Sequence, residues 1–149
     1  MITKLKYAGV RTEDLLDIYI LFIRSVNEYC AVAFHSSLTQ EESNKLEMIQ
    51  KACQRVILDD MYISYSAALE MTGLQTLYDR RRKSCLDFAR KYVLHPINSR
   101  LFPFNPETSD HFLRKKEVFK VNFASTSSYK KSAIPFCQRR RNDYCNGKT

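Results

Sequence analysis

Thr39-Gln40-Glu41-Glu42-Ser43-Asn44-Lys45-Leu46-Glu47-Met48-Ile49-Gln50-Lys51-Ala52-Cys53-Gln54-Arg55-Val56-Ile57-Leu58 decides the fold class. It opens with a capping box, because Thr39 offers its hydroxyl to the third residue of the helix and Glu42 reaches back to the amide of Thr39. Leu46, Ile49, Cys53, Val56 and Ile57 then recur at helical spacing on one face, while Lys45, Lys51, Gln54 and Arg55 fall on the other. Upstream, Thr12-Glu13-Asp14 provides a cap and a negative first turn, so a helix is expected to start there. Its body, Leu15 through Phe34, is apolar on nearly every side, which predicts a buried central helix.

Downstream, Ser64 caps a short third helix through Met71, and Gly73 occupies the position where a left-handed residue ends a helix. Thr76 begins a fourth, with Leu77, Cys85, Phe88, Ala89, Tyr92 and Val93 inward and Arg80, Lys83, Asp87, Arg90 and Lys91 outward. His95-Pro96 is expected to stop it. From Pro96 the character changes. Pro103 and Pro106 interrupt regular structure, Val118 to Phe123 alternates like one short strand, Ser125 to Ser128 reads as a polar linker, and Ser132 to Arg141 suits a terminal helix. The expectation is all-α: a small bundle of about four helices in residues 1–95, followed by an extended, irregular basic segment, 96–149.

Only three glycines and four prolines occur in 149 residues, which argues against an all-β chain rich in turns. The five cysteines are odd in number and irregularly spaced, so no disulfide framework is implied and a reducing, intracellular setting is expected. The most apolar run, Leu15 to Ile23, is interrupted by Asp17 and falls short of the roughly 20 residues a membrane span needs. No signal peptide is apparent, and the chain reads as soluble.

Charge is unevenly spread. Residues 112–149 carry ten Lys or Arg against two acids, which is the entire formal net charge of +8, whereas residues 1–111 balance at fourteen against fourteen. A neutral body with a cationic end points to an anionic partner, of which nucleic acid is the commonest.

Several blocks, taken in order, carry a family likeness: Leu5-Lys6-Tyr7-Ala8-Gly9-Val10, Ile18-Tyr19, Ile23-Arg24-Ser25-Val26, Glu28-Tyr29-Cys30 and Leu38-Thr39. They continue with Leu46-Glu47-Met48-Ile49-Gln50-Lys51, Arg55-Val56-Ile57-Leu58, Tyr65-Ser66-Ala67-Ala68-Leu69, Gly73-Leu74-Gln75-Thr76-Leu77, Arg80-Arg81-Arg82 and Ser132-Ala133-Ile134-Pro135-Phe136. In this order and spacing the chain resembles the C-terminal end, thumb and beyond, of reverse transcriptases encoded by non-LTR retrotransposons of the jockey and LINE type. The resemblance implies a helical thumb-like domain over 1–95 that grips the template–primer duplex through backbone phosphates. It implies RNA or DNA as partner, together with the palm and fingers of a parent RNA-directed DNA polymerase. It also implies a fragment or relic of a larger frame, because Met1 falls where the palm would precede it. Two departures are the absence of any Trp, with Phe34 at a position where relatives usually carry one, and the lack of a zinc-knuckle-like tail.

Asp59-Asp60 is the pair most open to misreading. A polymerase centre needs carboxylates bridging two metal ions in a tight hairpin after an aromatic residue. Ile57-Leu58 supplies no aromatic, and the pair ends a helix, so a solvated helix stop is expected and no catalytic residue is assigned. Arg80-Arg81-Arg82-Lys83 permits two readings. One is a solvated helix start with an Asp79–Lys83 pair. The other is a phosphate contact by Arg80 or Lys83, helped by the helix dipole. Arg114, Lys115, Lys116, Lys130, Lys131, Arg139, Arg140 and Arg141 are the stronger candidates for backbone contact, since Phe119, Phe123, Tyr129, Phe136 and Tyr144 are interleaved with them. The alternative for this set is a plain basic tail without register. No Cys or His pair has zinc spacing, and no Gly-rich phosphate loop occurs, so neither metal nor cofactor is expected. From a different class, a small helical protein-interaction module is a further reading, as is a translated remnant without selected function.

Overall fold

The computed structural model describes residues 1–105, 118–121 and 123–147. The described elements are helices α1 (Ile2–Tyr7), α2 (Thr12–Ile18), a π-helical stretch (Tyr19–Arg24), α3 (Ser25–Glu28), α4 (Ala31–Phe34), α5 (Gln40–Leu58), α6 (Tyr65–Thr72), α7 (Leu77–Lys91), α8 (Ser127–Lys131) and α9 (Ala133–Cys145), with short 3-10 turns at Asp59–Met61 and Pro96–Asn98. Among the described residues the all-α expectation holds. The helices are more numerous and shorter than the four expected, for reasons that can be named.

The long helix expected from Leu15 to Phe34 is not one buried rod. Inside it, Ser25 Oγ donates to the carbonyls of Leu21 (2.6 Å) and Phe22 (3.0 Å), and Asn27 Nδ2 to that of Ile23 (3.1 Å). These side chains compete for carbonyls of the helical ladder, and the turn widens to π geometry beside them. The helix then stops at Tyr29-Cys30, where Cys30 takes φ +54, a left-handed conformation that costs a non-glycine residue energy. Only Leu15, Tyr19 and, beyond the break, Ala31 are fully buried, whereas Phe22, Val26 and Tyr29 are 61%, 74% and 77% exposed.

Contacts gather the chain into two compact units, Met1–Cys30 with Leu38–Arg81, and Ala31–Ser37 with Arg82–Thr149. The division falls within α7, not at the proline-rich change of composition near 95.

In the first unit an apolar cluster of Ile2, Leu15, Tyr19 and Ile57 is extended by Leu5, Val10, Leu16, Ile20, Ile23, Cys53, Val56 and Leu74. The capping box of α5 forms as its sequence requires: the Glu42 amide donates to Thr39 Oγ1 at 3.2 Å and the Thr39 amide to Glu42 Oε2 at 2.8 Å. The Thr39 amide, and then the Thr39 hydroxyl, donate to the Glu42 carboxylate and hold it below its ordinary range. The buried face of α5 differs from the expected one. Ser43, Gln50 and Gln54 point inward and Ile49 is partly exposed, so Gln54 is corrected from an outward to a buried position. Polar side chains can be turned inward here because each finds a partner. Gln50 Oε1 accepts from Tyr19 Oη (2.7 Å), and Gln50 Nε2 donates to Tyr65 Oη (3.0 Å) and to the Gln75 carbonyl (3.0 Å). Gln54 Nε2 donates to Thr72 Oγ1 at 3.1 Å. Ser64 caps α6 by accepting from the Ala67 amide, and Gly73 ends it at φ +65, both as read from sequence.

In the second unit Ala89, Val93, Phe102, Phe119 and Cys137 form the core, with Phe88, Val118, Ile134 and Phe136 packed against it. The strand expected over 118–123 is, among the described residues, a single antiparallel bridge between Phe104 and Phe119, closed by the Asn105 amide donating to the Val118 carbonyl at 2.9 Å. Residue 122 lies outside the described residues. The serine-rich linker is partly helical, because Thr126 caps α8 by accepting from the Tyr129 amide at 3.2 Å. The terminal helix forms and runs longer than expected, to Cys145.

Candidate nucleic-acid interface

Charge follows the two units. The first holds nine Lys or Arg against eleven acids; the second holds fifteen against five. The cationic surplus is therefore not a property of the tail alone. It belongs to a unit that includes α7 from Arg82 onward.

The four cations that open α7 meet four different fates. Arg80 is bound by Glu28, with Nε–Oε1 and Nη2–Oε2 distances of 2.5 and 3.0 Å, and this bidentate bond raises its pKa further. Arg81 is fully buried and donates from Nη2 to Ser43 Oγ at 3.0 Å. Arg82 and Lys83 are exposed. The Asp79–Lys83 pair of the first of the two readings is absent among the described residues, where Asp79 instead accepts from Thr76 Oγ1 at 2.7 Å, with the Asp79 amide donating back to Thr76 at 3.0 Å.

An anion site at the N-terminus of α7 is also corrected. The Leu77 and Tyr78 amides donate to the Glu47 carboxylate at 3.2 and 3.3 Å, so the protein's own acid already occupies the positive end of the dipole. Tyr65 Oη donates to the same carboxylate.

Arg139, Arg140 and Arg141 lie in sequence on α9 and so diverge by about 100° each. Arg139 Nη2 donates to the Lys130 carbonyl, tying α9 to the end of α8. Arg140 is exposed, with its Cζ 5.5 Å from the centre of the Phe136 ring. Arg141 Nη1 donates to the Arg90 carbonyl at 3.0 Å, and its Cζ is 5.3 Å from the Tyr144 ring centre. The Cζ of Arg90 is 5.5 Å from that same centre. Lys130 and Lys131 are exposed in the last turn of α8. Arg114, Lys115 and Lys116 lie outside the described residues. The structure thus brings Arg139, Arg140 and Arg141 into one unit with Lys83, Lys130 and Lys131, and leaves Arg80 in the other.

Arg90 did not stand out in the sequence as a partner of the arginine cluster. The available signal was its place on the polar face of α7 with Lys91, in the last turn of the helix, where cations suit the dipole. The ion pairs among the described residues are Lys6–Asp59, Arg11–Asp14, Lys45–Glu41 and Arg80–Glu28, every one of them in the first unit. Arg82, Lys83, Arg90, Lys91, Lys130, Lys131, Arg139, Arg140 and Arg141 pair with no carboxylate among those residues.

Asp59 is a helix stop. It ends α5 at φ +47 and accepts from Lys6 Nζ at 2.8 Å, while Lys6 also donates to the Val56 carbonyl at 2.6 Å. Among the described residues no group of His, Cys, Asp or Glu is placed to hold a metal ion. Nor is any helix among them long and apolar enough to cross a membrane. His95 caps the 3-10 turn, its Nδ1 accepting from the Ile97 amide at 3.3 Å. All five cysteines are free thiols. No protein-family model, curated protein or solved structure matches the chain.

Proposed function

We propose that the chain binds nucleic acid through the cationic face of its second unit, as a thumb-like grip on the backbone of a template–primer in an RNA-directed DNA polymerase, with nucleotide transfer left to other parts of such an enzyme. The observation that carries this reading is the unequal treatment of cations. In the first unit four of them are matched to carboxylates, whereas the exposed Arg82, Lys83, Arg90, Lys91, Lys130, Lys131 and Arg140 of the second meet none among the described residues. Unmatched cations gathered on one folded unit raise the local potential, and a polyanion lowers that self-repulsion by displacing counterions into solvent. The reverse-transcriptase resemblance of the sequence supports the same partner.

The test is a pair of charge-removal variants. Replacing Arg82, Lys83, Lys130, Lys131 and Arg140 with Gln is expected to abolish measurable binding to RNA and DNA at about 150 mM salt, whereas replacing Lys4, Lys45 and Arg55 of the first unit leaves it within a fewfold. Equal losses from the two variants would contradict the reading.

A second reading has its own observation. Phe22 and Val26, on the helix that runs from α2 through α3, and Tyr29, just past its end, are large apolar residues left exposed to solvent. Such residues suit protein–protein contact. Oligomers that grow with concentration, without salt-sensitive nucleic-acid binding, would favour a helical interaction module.

A further inference from the structure

We infer that Arg90, Tyr144 and Arg141 form a subsite for one unpaired nucleotide, with the ring taking the base and the guanidiniums its phosphate. The inference rests on the nucleic-acid reading above and adds to it the kind of strand bound. Arg141 is fixed in place because Nη1 donates to the Arg90 carbonyl at 3.0 Å, which also couples the end of α7 to α9. Both guanidinium carbons lie within cation–π range of the same ring, at 5.5 and 5.3 Å. Tyr144 nevertheless remains 48% exposed, so the two cations leave part of the residue open to solvent.

Neither guanidinium meets a carboxylate among the described residues. Two cations gathered at one ring raise the local positive potential, and a phosphate accepting from either would lower it through charge-assisted hydrogen bonds. An aromatic face beside a fixed phosphate contact is the arrangement on which single-stranded chains stack their bases. A base in an intact duplex already has stacking neighbours on both sides and would have to leave them to reach Tyr144. The geometry therefore favours an unpaired strand over a duplex.

The experiment measures binding of the full chain to a labelled oligo(dT) 12-mer and to a 12-base-pair duplex by fluorescence anisotropy. Tyr144→Ala is expected to weaken single-strand binding on the order of tenfold while changing duplex binding less than about twofold, and Tyr144→Phe is expected to match the parent on both. A second measurement stays independent of any loss of fold in the Ala variant. Irradiating the unaltered chain with a 5-iodouracil-substituted strand is expected to give an adduct at Tyr144. Equal loss on both ligands, no loss on the single strand, or adducts that spare Tyr144 would overturn the inference while leaving phosphate binding intact. An unaltered chain that bound neither ligand would overturn it together with the reading beneath it.

Discussion

The side-chain amide of Asn142 pairs with both backbone groups of Phe119: Oδ1 accepts from the Phe119 amide at 3.0 Å, and Nδ2 donates to the Phe119 carbonyl at 2.9 Å. Both residues are buried, and Phe119 stacks on Phe104 with ring centres 5.2 Å apart. One amide thus takes the place of a neighbouring strand, satisfying on one side a residue whose segment has no sheet among the described residues. The bond pins 118–121 to the helix that carries Arg139, Arg140 and Arg141.

Asn142→Ala removes both partners of Phe119 at once. Leaving two buried backbone groups unpaired costs roughly 2–4 kcal/mol. Urea unfolding should show that loss, and a change below about 1 kcal/mol would mean the segment finds other partners.

Gln50 is the corresponding polar joint of the first unit, fully buried and bonded to Tyr19, Tyr65 and Gln75. Gln50→Leu keeps the volume but strands the Tyr19 hydroxyl and the Gln75 carbonyl, for an expected loss of about 2–4 kcal/mol. Thermal unfolding of this variant without a lowered midpoint would contradict the network's part in stability.

Alkaline pH should weaken the fold. Burial pushes the Cys137 thiol up to about 12 and raises the Tyr19 hydroxyl above its ordinary range. For Tyr65, burial and then its bond to Glu47 act in the same direction. In each case the folded state keeps a proton that the unfolded chain releases. Stability is therefore complete below the unfolded values, about 9 to 10, and falls as pH rises above them. Each such group contributes a slope of up to about 1.4 kcal/mol per pH unit. Urea midpoints at pH 7, 9 and 10.5 should be level over the first step and fall over the second. A midpoint that rose at pH 10.5 would show the groups to be stabilised as anions.

Asp59 and Asp60 should be dispensable for binding. Asp59→Asn with Asp60→Asn removes the partner of Lys6 at a half-exposed surface pair, so stability should fall by no more than about 1 kcal/mol and nucleic-acid affinity should be unchanged. A magnesium-dependent loss of affinity in this variant would restore a metal role to the pair.

Local signals in the sequence translated directly into structure. Thr39 with Glu42, Ser64, and Gly73 act through bonds to residues three to five positions away, so their outcome needed no knowledge of the rest of the chain. The misreadings arose where distant residues decide. Gln54 could be assigned to the outer face by periodicity alone, and only Thr72 gives it a reason to turn inward. Ser25 and Asn27 look unremarkable until they bond to carbonyls and widen the helix. The cationic cluster was legible as composition, but its extension onto α7 was not, since Arg90 and Arg141 are 51 residues apart and meet only in the fold. Arg80 illustrates the converse: a cation exposed by pattern is taken by Glu28, 52 positions earlier.

The central claim is that backbone phosphates are held by cations of the second unit, and the salt dependence of binding tests it most directly. Affinity of the full chain for a duplex should fall linearly with salt on logarithmic axes, with a slope of about −0.9 for each phosphate engaged, and about −4 or steeper for a face of this charge. A slope near zero, or no binding at about 50 mM salt, would contradict it.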